Sequence, residues 1–176
     1  MLDIIDKSIL DSLPFYHDKQ ETKTFIDIGC GEGRLIKFLR DYDYIIYGID
    51  IKKHDSWKNE LNLYFSVGNI FDLNTLPIKK YDIVMCSQVL EHLKNWKAAL
   101  NNLISIAKER VIITVPWNHS FDGPNSGHVN FWTEKNINEF NIYPYSCSFM
   151  KIRTKPEDKP NKWCWLIIID KNQCYG

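Results

Sequence analysis

The sequence has 176 residues, of which 44% are hydrophobic and 25% charged, proportions that are usual for a single globular domain. Its 22 basic residues balance its 22 acidic ones, so no net charge indicates a nucleic-acid partner or a charged membrane surface. The amino terminus lacks a signal pattern, no apolar run is bilayer-sized, and the five cysteines show no C-x-x-C spacing, so we expect a cytoplasmic protein with reduced thiols.

Strand-like and helix-like segments alternate along the chain. The strand-like runs are short and apolar, whereas the helix-like ones repeat their apolar residues every three or four positions. In chain order, they are a helix over 2–13, a strand over 24–30, a helix that begins near Gly33, strands over 44–51, 63–70 and 81–87, a helix over 96–107, a strand over 110–115, a short helix capped by Thr133, and strands over 145–154 and 163–170. The last two strands are expected to form an antiparallel pair.

This alternation predicts a doubly wound α/β fold, a mostly parallel sheet with helices on both faces. We expect one domain over 1–176, in which 1–22 form a helix and linker and 23–115 bind a cofactor. The remaining residues, 116–176, are expected to supply a substrate-side loop, a short helix and the terminal strand pair. Ligands of such sheets lie beyond the carboxyl ends of the strands, so residues that follow each strand are the site candidates. The helix over 2–13 is expected to fold over the cofactor.

A glycine-rich turn follows the first predicted strand, with the sequence Asp27-Ile28-Gly29-Cys30-Gly31-Glu32-Gly33. Glycines let the backbone turn sharply and approach a ligand closely, because no Cβ intervenes. Alone, such a turn is a weak signal that nicotinamide, flavin and nucleotide sites share. The G-x-G-x-G spacing and the acid before the first glycine favour a ligand with an ammonium group over one with a pyrophosphate.

Polar residues also follow the second and third predicted strands. Asp50 lies about twenty residues beyond the glycines, where a carboxylate can accept hydrogen bonds from both ribose hydroxyls. Asn69 is placed to bond the exocyclic amine of an adenine, with Ile51 and Ile70 as apolar faces for the ring. The glycine turn, Asp50 and Asn69 thus follow three successive predicted strands. Together they predict a nucleoside-binding site.

With these residues the chain resembles the class I S-adenosylmethionine-dependent methyltransferases, particularly the type 11 group, from Phe25 to about Phe140. FIDIGCGEGRL corresponds to the first motif of that family, YGID to its ribose-binding acid, and YDIVMCSQVLEHL to its fourth motif. The resemblance implies a Rossmann-like, seven-stranded, mostly parallel sheet with an antiparallel last strand, and S-adenosylmethionine as cofactor. One departure is Asn69, where the family usually has aspartate. The implied cofactor-binding residues are Asp27, Gly29, Cys30, Gly31, Gly33, Asp50, Ile51, Asn69, Ile70 and Ser87.

Two histidines lie where a catalytic base is expected. His92 follows the fourth strand in Glu91-His92-Leu93, and His128 lies in the loop after the fifth strand. Similar patterns line the substrate crevice of type 11 enzymes, so the resemblance implies that His128 and His92 are catalytic. A structural role for His92 at the start of the helix fits equally well. We predict methyl transfer to a small metabolite or sugar-containing acceptor, at an oxygen, nitrogen or carbon atom.

Three alternatives stay open. Gln88, Glu91, His92 and His128 resemble the metal site of small-RNA ribose 2′-O-methyltransferases, but that family has glutamate where Gln88 stands, which weakens a magnesium or manganese site. We therefore expect no metal, and the neutral chain lacks a basic footprint for RNA. The second alternative is a non-catalytic, methyltransferase-like subunit. The third, a nicotinamide oxidoreductase, does not fit the glycine spacing. The oligomeric state is not predicted.

Overall fold

The structure, a computed structural model, describes residues 4–13, 22–40, 42–118, 126–153 and 162–174. Within these ranges the strands are β1 (Lys23–Ile28), β2 (Tyr44–Asp50), β3 (Leu63–Val67), β4 (Tyr81–Ser87), β5 (Ala107–Pro116), β6 (Tyr145–Arg153) and β7 (Trp163–Cys174). The α-helices are α1 (Ile4–Asp11), α2 (Arg34–Leu39) and α3 (Trp96–Ile106), and short 3₁₀ helices cover Leu73–Thr75, Leu90–His92 and Ile137–Phe140. None of the helices in these ranges has the length and apolarity needed to cross a membrane.

The seven strands form one sheet in the order β3-β2-β1-β4-β5-β7-β6. The first five strands in this order pair with one another in parallel, whereas β7 is antiparallel to both β5 and β6. The predicted seven-stranded, mostly parallel sheet and the antiparallel terminal pair are therefore confirmed. The strand order reverses between β1 and β4, and this reversal opens a crevice at the carboxyl ends of the strands.

Two apolar layers cover the two faces of the sheet. Side chains alternate between the faces along each strand, so in β4 Val84 and Cys86 face α3 whereas Ile83 and Met85 belong to the layer of α1 and α2. Because both faces are covered, the central strands are apolar at nearly every position. This explains why their sequences are continuous apolar runs rather than alternating ones.

Helix α1 packs against β6 and β7. Its apolar residues Ile5 and Ile9 are buried in the same layer as Leu166 of β7 and Ile152 of β6. The apolar face of α1 is therefore buried at the β7–β6 end of the sheet. Apolar periodicity predicts that such a face is buried, but not against which surface. The expectation that this helix folds over the cofactor stays a prediction.

Several boundaries differ from the predicted ones at the ends that face the crevice. β1, β2 and β3 stop at Ile28, Asp50 and Val67, earlier than predicted, because the residues that follow turn into the site. The helix expected after Thr133 is a turn followed by a 3₁₀ helix over Ile137–Phe140, and the Thr133 hydroxyl accepts a hydrogen bond from the Lys135 amide at 3.2 Å. Residues 119–125 of the substrate-side loop and residues 154–161 of the predicted turn lie outside the described residues.

Candidate active site

A cleft of about 320 Å³ lies at the carboxyl ends of β1 and β4, where the strand order reverses. This volume suits a small polar ligand. Acidic, basic and apolar side chains share the lining with exposed backbone of the glycine turn. The lining residues are Asp27, Gly29, Cys30, Glu32, Arg34, Leu35, Met85, Ser87 and Gln88.

Backbone hydrogen bonds connect the glycine turn to the end of β2. The amides of Gly29 and Cys30 donate to the Ile49 carbonyl at 2.7 and 3.0 Å. Gly31 has a φ of +52°, and a side chain built there would meet no atom within 4 Å, so its backbone is open to a ligand. At Gly33, with a φ of +73°, a side chain would collide with the ring of Phe65. The turn therefore needs glycine for conformation, for packing and for ligand access.

Asp50 is oriented by two backbone amides. The Gly31 amide donates to Asp50 Oδ2 at 3.0 Å and the Lys52 amide donates to Oδ1 at 3.3 Å. Its side chain is 15% exposed, and His54 Nε2 lies 3.8 Å from Oδ2. A carboxylate has about four acceptor positions, so capacity remains for the two hydroxyls of a ribose.

Trp57 is a site residue that the sequence analysis missed. Its indole Nε1 donates to the Gly31 carbonyl at 2.7 Å, and its ring stacks on Phe65 with centroids 5.3 Å apart. The residue lies in the irregular segment between β2 and β3, outside any motif. An aromatic residue soon after the ribose-binding acid was the only available signal, and it is a weak one.

The residues predicted to hold an adenine are placed unequally. Ile51 is 76% exposed, and Asn69 is exposed with its side-chain oxygen accepting a hydrogen bond from the Phe71 amide at 2.9 Å. Asn69 therefore closes a turn just after β3. Ile70 is 6% exposed and packs in the apolar layer of α3. Of the three, Ile51 is the side chain that a ring can contact most readily.

Two side chains that line the cleft, Asp27 and Cys30, are buried and half-buried respectively. Asp27 is 4% exposed and lines the cleft. Burial raises the pKa of the Cys30 thiol well above its usual value, and the nearby Asp27 and Asp50 carboxylates raise it further. Cys30 is therefore a neutral thiol and no nucleophile.

Residues at the end of β4 are held by Thr114 of β5, another residue that the sequence analysis missed. Ser87 Oγ and Thr114 Oγ1 are 2.7 Å apart, and Gln88 Nε2 donates to the same hydroxyl at 3.1 Å. Gln88 also has a φ of +57°, a left-handed backbone that turns the chain out of the sheet. Ser87 and Gln88 consequently face the cleft together.

The two predicted catalytic histidines come together beyond β4. The His92 and His128 rings are 4.8 Å apart between centroids, and His92 Nδ1 lies 3.3 Å from the Gly127 carbonyl oxygen. Next to them, Glu91 is 1% exposed, and burial raises the pKa of its carboxyl to about 8. Glu91, His92 and His128 each offer a donor atom, and these atoms lie within 4.8 Å of one another.

The loop that carries His128 is bound to the 3₁₀ helix that carries Glu91 and His92. The Val129 and Asn130 amides donate to the Glu91 carbonyl at 2.8 and 3.1 Å. The Asn130 side chain donates to the Leu90 and Leu93 carbonyls at 3.0 and 2.8 Å. Asn130, which the sequence analysis also missed, thus joins the two stretches.

Comparison with sequence families identifies the chain's relatives. A family model described as a methyltransferase domain matches residues 3–141. A ubiquinone biosynthesis O-methyltransferase of Coxiella burnetii is 27% identical over 93 residues, which cover 49% of this chain and 39% of that protein. The protein of the same name from Rickettsia typhi is 25% identical over 114 residues, covering 61% of this chain and 46% of that one. The matched part thus spans less than half the length of these curated relatives.

Solved structures with the same fold include methyltransferases with different descriptions. A 1,6-didemethyltoxoflavin-N1-methyltransferase of Burkholderia thailandensis superposes with a TM-score of 0.67 at 14% identity, covering 85% of this chain and 72% of that one. An S-adenosylmethionine-dependent methyltransferase of Archaeoglobus fulgidus gives 0.65 at 18% identity, covering 96% and 93%. At these identities the likeness concerns the fold.

Proposed function

Because the chain belongs to the methyltransferase-domain family, we propose that it binds S-adenosylmethionine and transfers the methyl group to a small-molecule acceptor. Membership of the family confirms the predicted class of protein and its cofactor. The observation that carries the proposal is the glycine turn, whose open Gly31 donates to Asp50 where the strand order reverses. This pair combines the two features that a nucleoside ligand needs, an accessible backbone and an oriented carboxylate.

Residues that line the cleft or lie beside it suit the parts of this cofactor. We assign Asp27 to the ammonium group, Asp50 to the ribose hydroxyls and Ile51 to one face of the adenine. The bound cofactor supplies an electrophilic methyl group on its sulfonium, so the protein's tasks are to align the acceptor and to exclude water. Ser87 and Gln88, held by Thr114, line the cleft that would hold the cofactor.

A hydroxyl oxygen is the acceptor atom that we favour. The curated relatives are named O-methyltransferases, and an oxygen acceptor must lose a proton, for which His92 and His128 are placed beyond β4. The balanced charge of the chain supports a small molecule rather than a nucleic acid. The free thiols of Cys30, Cys86 and Cys147 support a reducing, cytoplasmic location.

Cofactor binding tests the proposal directly. In calorimetric titrations with S-adenosylmethionine and S-adenosylhomocysteine, we expect micromolar binding by the unaltered protein and binding at least about tenfold weaker by Asp50→Asn, because hydrogen bonds to a charged group contribute roughly 1.5–3 kcal/mol. Asp55→Asn, an exposed acid in the following loop, is the matched control and should bind normally. If the unaltered protein does not bind S-adenosylmethionine, the proposal is refuted. A separate titration with a nicotinamide dinucleotide tests the rival cofactor.

Turnover tests the two histidines. With a panel of phenols, catechols and sugars as acceptors, His128→Ala and His92→Ala should each lower the formation of S-adenosylhomocysteine by about 10²–10⁴-fold, the usual contribution of a general base. The affinity for S-adenosylmethionine should stay unchanged, because neither histidine lines the cofactor cleft. Full activity in both variants would contradict a role for either residue.

A further inference from the structure

We propose that His54 is a positioning residue for Asp50, and that the proton on its imidazole sets how many hydrogen bonds Asp50 can accept from a ribose. The inference rests on the proposed function, because it concerns the carboxylate assigned to the ribose of the cofactor. His54 lies four residues after Asp50, in the irregular segment between β2 and β3. It stands outside the sequence motifs of the family.

The His54 imidazole faces the Asp50 carboxylate. Its Nε2 lies 3.8 Å from Asp50 Oδ2, which is too long for a hydrogen bond but close enough for attraction between two charged groups. The two side chains are 18% and 15% exposed, so little water screens the pair. Among the described residues, Nε2 is buried and has no hydrogen-bond partner. This nitrogen gains a partner if the ring moves toward Oδ2.

Contacts with the glycine turn hold the segment that carries His54. The imidazole lies against the Trp57 ring with centroids 5.5 Å apart, and Trp57 Nε1 donates to the Gly31 carbonyl at 2.7 Å. Ser56 Oγ donates to the next carbonyl of the turn at 3.0 Å. These contacts keep the imidazole beside Asp50, so its protonation state acts on the carboxylate.

The Asp50 carboxylate has a limited number of acceptor positions. It offers about four, and the amides of Gly31 and Lys52 already occupy one at Oδ2 and one at Oδ1. The remaining positions match the two hydroxyls of a ribose. If a protonated His54 donates to Oδ2, it takes one of these positions, and the cofactor loses a hydrogen bond.

Protonation supplies the attraction that closes the gap between the two side chains. A charge-assisted N–H···O bond is about 2.7–2.9 Å long, so Nε2 has to approach Oδ2 by about 1 Å. Rotation about the side-chain bonds of His54 can provide this movement. A neutral imidazole is attracted much more weakly, so Asp50 then keeps its free acceptor positions for the ribose.

The surrounding charges leave this pair intact. In the described part of the chain, Asp50 is the acid with which His54 pairs. The other titratable groups around the segment are Lys52, Lys53 and Asp55 of the segment itself, Glu32 and the neutral Cys30 of the glycine turn, and Lys37 of α2. The charged side chains of the segment and of the turn are exposed and screened by water, and Lys37 Nζ donates to two backbone carbonyls.

Cofactor binding as a function of pH tests the inference on the full chain. In calorimetric titrations with S-adenosylmethionine, the affinity of the unaltered protein should fall about tenfold from about pH 8 to about pH 5.5, the range in which histidines gain a proton. His54→Phe keeps a ring against Trp57 but binds no proton. Its affinity should equal that of the unaltered protein at the upper pH and fall much less below it.

Proton release gives a second readout of the same linkage. Because the cofactor favours neutral His54, its binding should release a fraction of a proton near neutral pH, and this release should be smaller in His54→Phe. Titrations in two buffers of different ionisation enthalpy measure it. The other histidines and the cofactor's own ammonium group are the same in both proteins, so the difference between them reports on His54.

Two further variants serve as controls. His54→Gln is a second replacement that binds no proton, and it should behave like His54→Phe; circular dichroism checks the folding of both. Asp55→Asn removes an exposed charge from the same segment and should keep the pH dependence of the unaltered protein. A purely structural role of His54 would instead weaken binding by the same factor at every pH, and that result would overturn the inference.

The outcomes separate this inference from the proposed function. If S-adenosylmethionine binds equally well at acid pH, or if His54→Phe and His54→Gln follow the pH profile of the unaltered protein, the role of His54 is overturned and the proposed function stands. If the unaltered protein does not bind the cofactor at any pH, the proposed function fails and this inference fails with it.

Discussion

At the scale of single residues, the peptide groups of Gly31 show how a ligand site is prepared before the ligand arrives. The Gly31 amide donates to Asp50 at 3.0 Å, and its carbonyl accepts from Trp57 Nε1 at 2.7 Å. The indole is in turn held by its stacking on Phe65. Residues at the end of β2 and beyond it therefore restrain the turn that follows β1, and a restrained turn loses less entropy when it binds a ligand.

Replacement of Trp57 tests this restraint. Trp57→Phe keeps an aromatic ring against Phe65 but removes the donor to Gly31, and a hydrogen bond contributes about 0.5–1.5 kcal/mol. We expect S-adenosylmethionine to bind about 2- to 10-fold more weakly in calorimetry. Trp117→Phe is the matched control, since it loses an indole hydrogen bond to Glu134 at 3.0 Å, away from the cleft. Equal affinities of both variants would show that Trp57 does not restrain the turn.

At the scale of the elements, one buried carboxylate connects three strands. The amide and hydroxyl of Thr24 in β1 donate to Asp82 of β4 at 2.7 and 2.6 Å, and Lys108 of β5 donates to it at 3.0 Å. Burial raises the pKa of Asp82, but the hydrogen bonds from Thr24 and Lys108 outweigh it and hold the pKa below its usual value. The ionised form of Asp82 therefore stabilises the start of the parallel sheet.

This connection has a defined pH dependence. Because the pKa is lower in the folded state, the stabilisation is complete above the unfolded value of about 3.9 and is lost as the pH falls through the folded value. Asp82→Asn should lower the free energy of unfolding by about 1–3 kcal/mol at pH 7, measured by urea denaturation, and by less at pH 3. Glu60→Gln, an exposed acid 3.9 Å from Arg40, should change it by no more than about 0.5 kcal/mol. A difference that does not shrink at pH 3 would argue against this role of Asp82.

At the scale of the whole molecule, β7 joins the two apolar layers. Leu166 and Ile167 are neighbours in this strand, buried on opposite faces at 2% and 0% exposure. The strand lies between β5 and β6, and α1 from the other end of the chain packs on it. Both layers, and residues near both ends of the described chain, thus depend on one strand, which favours a single cooperative unfolding transition.

Shortening a buried side chain on either face of β7 should therefore destabilise the whole molecule. Leu166→Ala and Ile167→Ala are each expected to lower the free energy of unfolding by about 2–5 kcal/mol, the usual cost of a large cavity. Tryptophan fluorescence and circular dichroism should give one common midpoint in urea for each variant. Leu61→Ala, at a position that is 88% exposed, should have little effect. Separate midpoints for the two probes would mean that the layers unfold independently.

The sequence by itself determined the fold class, the strand pairing at the carboxyl terminus and the glycine turn with Asp50. These features depend on local signals, namely apolar periodicity, glycines at a strand end and an acid at a set distance beyond them. The predicted order of elements is confirmed because each strand and helix buries its apolar face within one sheet. The methyltransferase family is confirmed for the same reason, since its motifs are local as well.

Only the tertiary structure decided which side chains meet. Trp57 bonds Gly31 across 26 residues, and Asn130 bonds Leu90 across 40, in contacts that no local pattern encodes. The approach of His128 to His92 accompanies the contacts of Asn130 with Leu90 and Leu93. Conversely, Ile70 satisfied the expected spacing but lies in the core. The physical reason is that sequence periodicity specifies which face of an element is buried, whereas the order of strands and the packing of loops decide what that face touches.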